Sequence, residues 1–293
     1  MIALLFPGHG SQSAAMGKTA YIELKRKADD LLERASSFSG IDVFDLICNA
    51  SDETLSQSAE LSSIALFMTS VLYYEILRER GVAFDFTAGH SFGEYSQLYA
   101  AGVVEIEDGL KLARQWGISM ENSTDEACGM AAIIGIPILQ VEKIIENYPQ
   151  VSIANINSDY QVVVSGETTQ VEKTTEKALE MGAIKAVKLK TKTAYHTPFM
   201  QKARQELEKA IQETTFKKPI YPIVTNLYAE PTKDKERIIE SLLDQVTNKI
   251  RWKDTIRALL TLGVNSAYEV GSGEVLKKLT QTITSKIKFQ TIL

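Results

Sequence analysis

The stretch Thr87-Ala-Gly-His-Ser-Phe-Gly-Glu94 decides the fold. It is a G-x-S-x-G pentad centred on Ser91, preceded by the apolar run Gly81-Val-Ala-Phe-Asp-Phe-Thr-Ala88 and followed by a helical pattern from Glu94 to Gly102. Strand, tight turn and helix in that order make a nucleophile elbow. Both glycines are required there, because a Cβ at either position would collide with the neighbouring strand or helix. The turn lifts the serine oxygen clear of the chain, and the helix N-terminus behind it favours a developing oxyanion. The competing reading is an ordinary structural turn, and the flanking elements favour a nucleophile.

A serine nucleophile needs a base, and the chain has three histidines, His9, His90 and His196. His90 adjoins Ser91, and neighbours in a tight elbow diverge, so His90 is expected to pack or orient the turn. His9 lies in Phe6-Pro-Gly-His-Gly-Ser-Gln12, a glycine-rich loop after the apolar strand Ile2–Phe6 that can aim backbone N–H groups at a substrate oxygen. By elimination His196, in Thr193-Ala-Tyr-His-Thr-Pro198, is the general base.

Phe6-Pro-Gly-His-Gly-Ser-Gln12, Gly89-His-Ser-Phe-Gly-Glu-Tyr95, Tyr195-His-Thr-Pro198 and Tyr268-Glu-Val-Gly-Ser-Gly273 resemble, in order and spacing, the malonyl-CoA:acyl-carrier-protein transacylases, stand-alone acyltransferases of polyketide synthesis included. The resemblance runs from residue 2 to about residue 285. It implies a Ser–His dyad in which a backbone carbonyl, here that of Gln245, orients the histidine. It also implies an oxyanion hole from the backbone N–H groups of Phe92 and His9. His90, Tyr195 and Asn155 then border the acyl pocket, although turn formation explains the nearby Asn157 equally well. The implied substrates are CoA or phosphopantetheine thioesters, the implied partner is an acyl carrier protein, and no permanent cofactor or metal is expected.

Two positions depart from the family pattern. His9 stands where the loop normally carries glutamine; a backbone hole tolerates that exchange. Trp116, in Ala113-Arg-Gln-Trp-Gly-Ile-Ser-Met120, stands where malonyl-selective members carry the arginine that pairs with the free carboxylate. A guanidinium holds a carboxylate in a dry pocket through two parallel hydrogen bonds. Trp offers one donor and no charge, so a buried malonyl carboxylate would lose its partner at about 3–5 kcal/mol. Arg114, two residues back, is rotated by about 200° on a helix and should face away. The expected substrates are therefore uncharged acyl groups, transferred to a thiol or removed by water. Two readings remain beside it: malonyl transfer with another cation in the pocket, and a non-catalytic module that binds carrier proteins.

The 293 residues, 44% hydrophobic and 24% charged, suffice for a large domain and a small one. A net charge of −5 argues against nucleic acid. The two cysteines make no disulfide framework. No uninterrupted apolar run reaches membrane-span length and no signal peptide is read, so a cytoplasmic monomer is expected. Element order predicts an α/β hydrolase-like large domain with a parallel sheet (1–126 and 194–293). It is interrupted at 127–193 by a β-α-β-β-α-β, ferredoxin-like small domain. Helices are expected at 18–36, 52–58, 60–79, 107–122, 138–147, 168–181, 198–215, 235–249, 252–262 and 274–283, and a strand at 220–226. Lys188, Lys190 and Lys192 alternate along the segment leading to His196, as a solvated sheet face or as a docking patch for an acidic carrier protein or CoA phosphates.

Overall fold

A computed structural model describes residues 1–124 and 126–293. The strands are β1 (Ile2–Phe6), β2 (Phe86–Gly89), β3 (Cys128–Ile134), β4 (Val151–Ser158), β5 (Gln161–Glu167), β6 (Lys185–Lys188), β7 (Ile223–Val224), β8 (Pro231–Thr232), β9 (Ser266–Glu269) and β10 (Lys288–Gln290). Six of them form one sheet in the order β10-β9-β1-β2-β7-β8. Every pairing in it is parallel except the last. β1 and β2 lie at its centre and are almost wholly buried, which explains runs without polar alternation such as Ala3-Leu-Leu-Phe6.

The remaining four strands form a separate antiparallel sheet, β4-β5-β3-β6, with helices Ile138–Ile145 and Thr168–Glu180 between its strands. This is the ferredoxin-like connectivity expected from the sequence. Val and Ile side chains of β3, β4 and β5 pack with Val141, Ile144 and Val171 of those helices into a core of their own. Ile250, just ahead of the helix that begins at Trp252, bonds the small sheet at β4. Ile250 N–H donates to the Ala154 carbonyl and the Ile250 carbonyl accepts from Ile156 N–H, both at 2.8 Å.

Helix Ala59–Glu79 is buried nearly all round and packs beneath the elbow helix Gly93–Ala100 and against Ile106–Glu121. By length and composition it could cross a membrane, although most of it is buried among the other helices. A Cβ on Gly117 would lie 2.4 Å from the Ala59 carbonyl, so glycine lets helix Ile106–Glu121 approach this closely.

Several boundaries differ from the sequence expectation, each for a local reason. The helix expected at 18–36 is two helices, Lys18–Leu24 and Arg26–Ser39, because Lys25 adopts a φ of 51° between them. The expected strand 220–226 contracts to β7: Pro219 and Pro222 have no N–H to give, and Ile220 bonds Ala101 instead of a strand. The helix expected at 198–215 begins with a 3-10 turn, Pro198–Met200, and runs from Gln201 to Gln212. The helix expected at 235–249 ends at Asp244, which frees the Gln245 carbonyl for another partner.

Candidate active site

The elbow forms where β2 ends beside β1. His90 N–H donates to the Phe6 carbonyl at 3.0 Å, and Ser91 turns into the left-handed region with φ 53°. Such a conformation costs a non-glycine residue about 1–2 kcal/mol and needs support from its surroundings. Steric closeness explains the flanking glycines: a Cβ on Gly89 would lie 2.1 Å from the Gly93 carbonyl carbon, and one on Gly93 would lie 2.0 Å from the Phe6 oxygen. The first loop presses on the same turn, with a Cβ on Gly8 coming within 2.3 Å of the His90 oxygen.

Ser91 Oγ lies 2.7 Å from His196 Nε2, and His196 Nδ1 lies 2.7 Å from the Gln245 carbonyl oxygen. A carbonyl can only accept, so Nδ1 carries the proton and Nε2 presents its lone pair to the serine hydroxyl. Burial is the largest influence on His196 and pulls its pKa down to about 4; the bond to Gln245 opposes this and His90 adds to it. The imidazole is therefore neutral at pH 7 and able to take a proton. Like Ser91, it has a positive φ, 61°.

The N–H groups of Phe92 and His9 donate to no acceptor among the described residues. Phe92 is the N-cap of helix Gly93–Ala100, so its amide belongs to the unpaired first turn. Around His9 the loop is fixed by Ser11 Oγ donating to the Gly8 carbonyl and Gly10 N–H donating to Gln12 Oε1.

Four rings, His9, Phe92, Trp116 and Tyr195, pack together next to these amides. Trp116 stacks on His9 with centroids 4.7 Å apart and on Tyr195 at 5.7 Å, and Phe92 meets it edge-on at 5.1 Å. Ser63 Oγ donates to the Ala59 carbonyl at 2.6 Å and lies 2.9 Å from His9 Nε2, so the imidazole donates to it. Burial pulls the His9 pKa down to about 3, leaving that ring uncharged against the indole. Arg114 faces elsewhere, as its rotation on the helix implies: Nε pairs with Glu60 at 2.6 Å and Nη1 donates to the Ser39 carbonyl.

Other expected site residues stand apart in their contacts. His90 directs Nε2 to Asn157 Oδ1 at 3.1 Å and its ring edge to Trp252, with no contact to the Trp116 stack. Asn157 belongs to β4 instead of the turn, which falls at Asp159–Tyr160. Asn155 is buried at an irregularity of β4, opposite Ile250, which bonds its two neighbours Ala154 and Ile156. Lys188 pairs with Glu172 across the outer face of the small sheet, the solvated arrangement weighed from sequence. Two residues at the site were absent from the sequence reading. Ser63 fixes the His9 tautomer, and Asn226 contacts Ser91, Glu94 and Gln245 at once. Neither sits in a recognisable motif.

A parallel α/β sheet carrying a serine elbow, with a neutral histidine on the serine and unpaired amides beside it, has the parts of an enzyme that forms an acyl-serine, transferase or hydrolase. Residues 3–288 match the model of the acyl transferase domain, and the chain belongs to that family. It is 35% identical to the malonyl CoA-acyl carrier protein transacylase of Bacillus subtilis over 98% of this chain and 92% of the relative. It is 34% identical to the polyketide biosynthesis malonyl CoA-acyl carrier protein transacylase PksC of the same organism, covering 97% of each. Among solved structures, a malonyl-transacylase in complex with its type II polyketide synthase acyl-carrier protein superposes with a TM-score of 0.93. That match has 29% identity and covers 98% of this chain and 94% of the other.

Proposed function

We propose that this chain is a Ser–His acyltransferase that accepts uncharged acyl groups from thioesters, through an acyl-Ser91 intermediate. Ser91 Oγ attacks the thioester carbonyl while its proton passes to His196 Nε2. The amides of Phe92 and His9 hold the resulting oxyanion. The C–S bond then breaks, and the leaving thiolate takes the proton from His196. A carrier-protein thiol or a water molecule, deprotonated by the same imidazole, releases the acyl group. The relatives' names point to CoA and acyl carrier protein as the thiol carriers and, for one of them, to polyketide biosynthesis. The proposed steps call for no permanent cofactor, and we place them in cytoplasmic fatty acid or polyketide synthesis. Residues 127–193, the small ferredoxin-like unit, are proposed as a domain separate from the one that carries Ser91.

The observation that carries the acyl preference is Trp116 held between His9 and Tyr195. A carboxylate entering beside these uncharged rings would shed its water and gain no cation. An alkyl group loses nothing comparable and gains contact with the indole. The second reading, malonyl transfer, is favoured by the names of the relatives. Intact-protein mass spectrometry after mixing with malonyl-CoA, acetyl-CoA or hexanoyl-CoA, followed by holo acyl carrier protein, separates the two. Faster loading by the uncharged donors is expected, by at least tenfold if ~1.4 kcal/mol of the missing pairing reaches the transition state. Malonyl-CoA as the best donor would restore the second reading. Ser91→Ala should abolish loading, and His196→Ala should slow it by roughly 10²–10⁴.

A further inference from the structure

Asn226 follows β7, whose pairing sets Ala88 beside Val224, so two residues further on Asn226 comes level with the elbow. Its side chain is buried, and its amide has two chemically different ends. Oδ1 accepts from Ser91 N–H at 3.4 Å, while Nδ2 donates to the Ser91 carbonyl at 3.4 Å and to Gln245 Oε1 at 3.3 Å. Nδ2 also donates to Glu94 Oε2, which accepts in addition from Asn226 N–H at 3.1 Å. One donor faces the oxygen end, and three acceptors share the two hydrogens of the nitrogen end; the Ser91 N–H and carbonyl, which cannot exchange roles, set the orientation of the amide.

These partners belong to both halves of the dyad. Ser91 is held at both its backbone polar groups, in the left-handed conformation that presents Oγ. Gln245 is held by its side chain, and its carbonyl fixes His196 Nδ1. We propose that Asn226 is a positioning residue that locks the backbone of Ser91 and the carrier of the His196-orienting carbonyl into one frame. This rests on the dyad reading given above. Ser91 Oγ and His196 Nε2 come from segments 105 residues apart in the chain; among the described residues Asn226 is bonded both to Ser91 and to the Gln245 side chain, while Tyr95 Oη holds the elbow helix to the Leu242 carbonyl at 2.7 Å. Loss of the amide removes the direct tie between the Ser91 backbone and Gln245, and a misplacement on the order of 1 Å costs about 10²-fold in rate.

The test is the p-nitrophenolate burst from p-nitrophenyl acetate, a probe indifferent to thioester and carrier recognition. In the burst Ser91 Oγ bonds the acetyl carbon, its proton passes to His196, and p-nitrophenolate leaves. Ser91→Ala must abolish the burst; a surviving burst removes the dyad reading and not merely the role of Asn226. Given that control, Asn226→Ala should lower the maximal burst rate by roughly 10–100-fold while the half-saturating ester concentration stays within about threefold. Asn226→Ser, whose hydroxyl can still accept from Ser91 N–H, should recover part of the rate and serves also if the alanine variant does not fold. A folded Asn226→Ala or Asn226→Ser protein with a burst rate within threefold of the parent would overturn the proposal. So would a change confined to half-saturation.

Discussion

The proposed substrate choice turns on Trp116, and its neighbours determine what a substitution there can do. Trp116→Arg supplies the missing guanidinium, but the new side chain must occupy a slot between His9 and Tyr195. Both neighbours are uncharged, so nothing repels the cation, and Arg stacks on aromatic faces readily. The expected outcome is a shift of donor preference toward malonyl-CoA of at least tenfold in kcat/KM relative to acetyl-CoA. Unchanged preference in a folded variant would mean that another wall of the pocket sets selectivity. At this scale the sequence was highly legible where function uses a local motif: the elbow, the His196 segment and the glycine-rich loop are contiguous, and each announces its own geometry. Asn226 and Ser63 were not, because their roles depend on strand register and helix packing that bring distant chain segments together.

At the scale of elements, the site is an outcome of close approach between backbones. β1, its loop and the elbow touch at Gly8, Gly89 and Gly93, each at distances no Cβ tolerates. Gly93→Ala sets a methyl 2.0 Å from the Phe6 oxygen, with backbone on both sides and no flexible side chain to give way. The start of helix Gly93–Ala100 must move off β1, carrying the Phe92 amide with it. Overpacking of this kind costs on the order of 1–3 kcal/mol, so a lower Tm is expected. Acyl loading measured well below that Tm should fall by more than tenfold, since removing one oxyanion donor costs about 10²–10³. A lower Tm with undiminished loading would show that Phe92 N–H is dispensable. The order of elements was legible from glycine spacing and apolar runs, and the βαββαβ insertion with it. What escaped were elements with weak local signals: the helix Val43–Cys48, only six residues long, and β10, a three-residue edge strand whose place is set by pairing with β9.

Across the whole molecule, the histidines and Glu94 work against each other as pH changes. Burial lowers the pKa of all three histidines, His9 to about 3 and His196 to about 4, with His90 also shifted down despite its bond to Asn157. In the unfolded chain they titrate near 6.5. Between pH 6.5 and about 4 the unfolded state thus binds protons that the folded state refuses, and stability falls on acidification. Glu94 has the opposite sign. Burial pushes it up to about 7, against the opposing hydrogen bonds of Ser241 and Asn226, so between about pH 4.5 and 7 the folded state keeps a proton the unfolded chain has released. Its contribution weakens the fold as pH rises through that window and offsets about one histidine there. Glu94→Gln removes the offset while leaving an oxygen to accept from Asn226. Its stability from urea unfolding should therefore decline more steeply than the parent's between pH 7 and pH 5. The difference in slope approaches about 1.4 kcal/mol per pH unit in the middle of the window. Parallel stability curves for the two proteins would mean that Glu94 stays ionised when buried, with Asn226 and its neighbours compensating the charge in full.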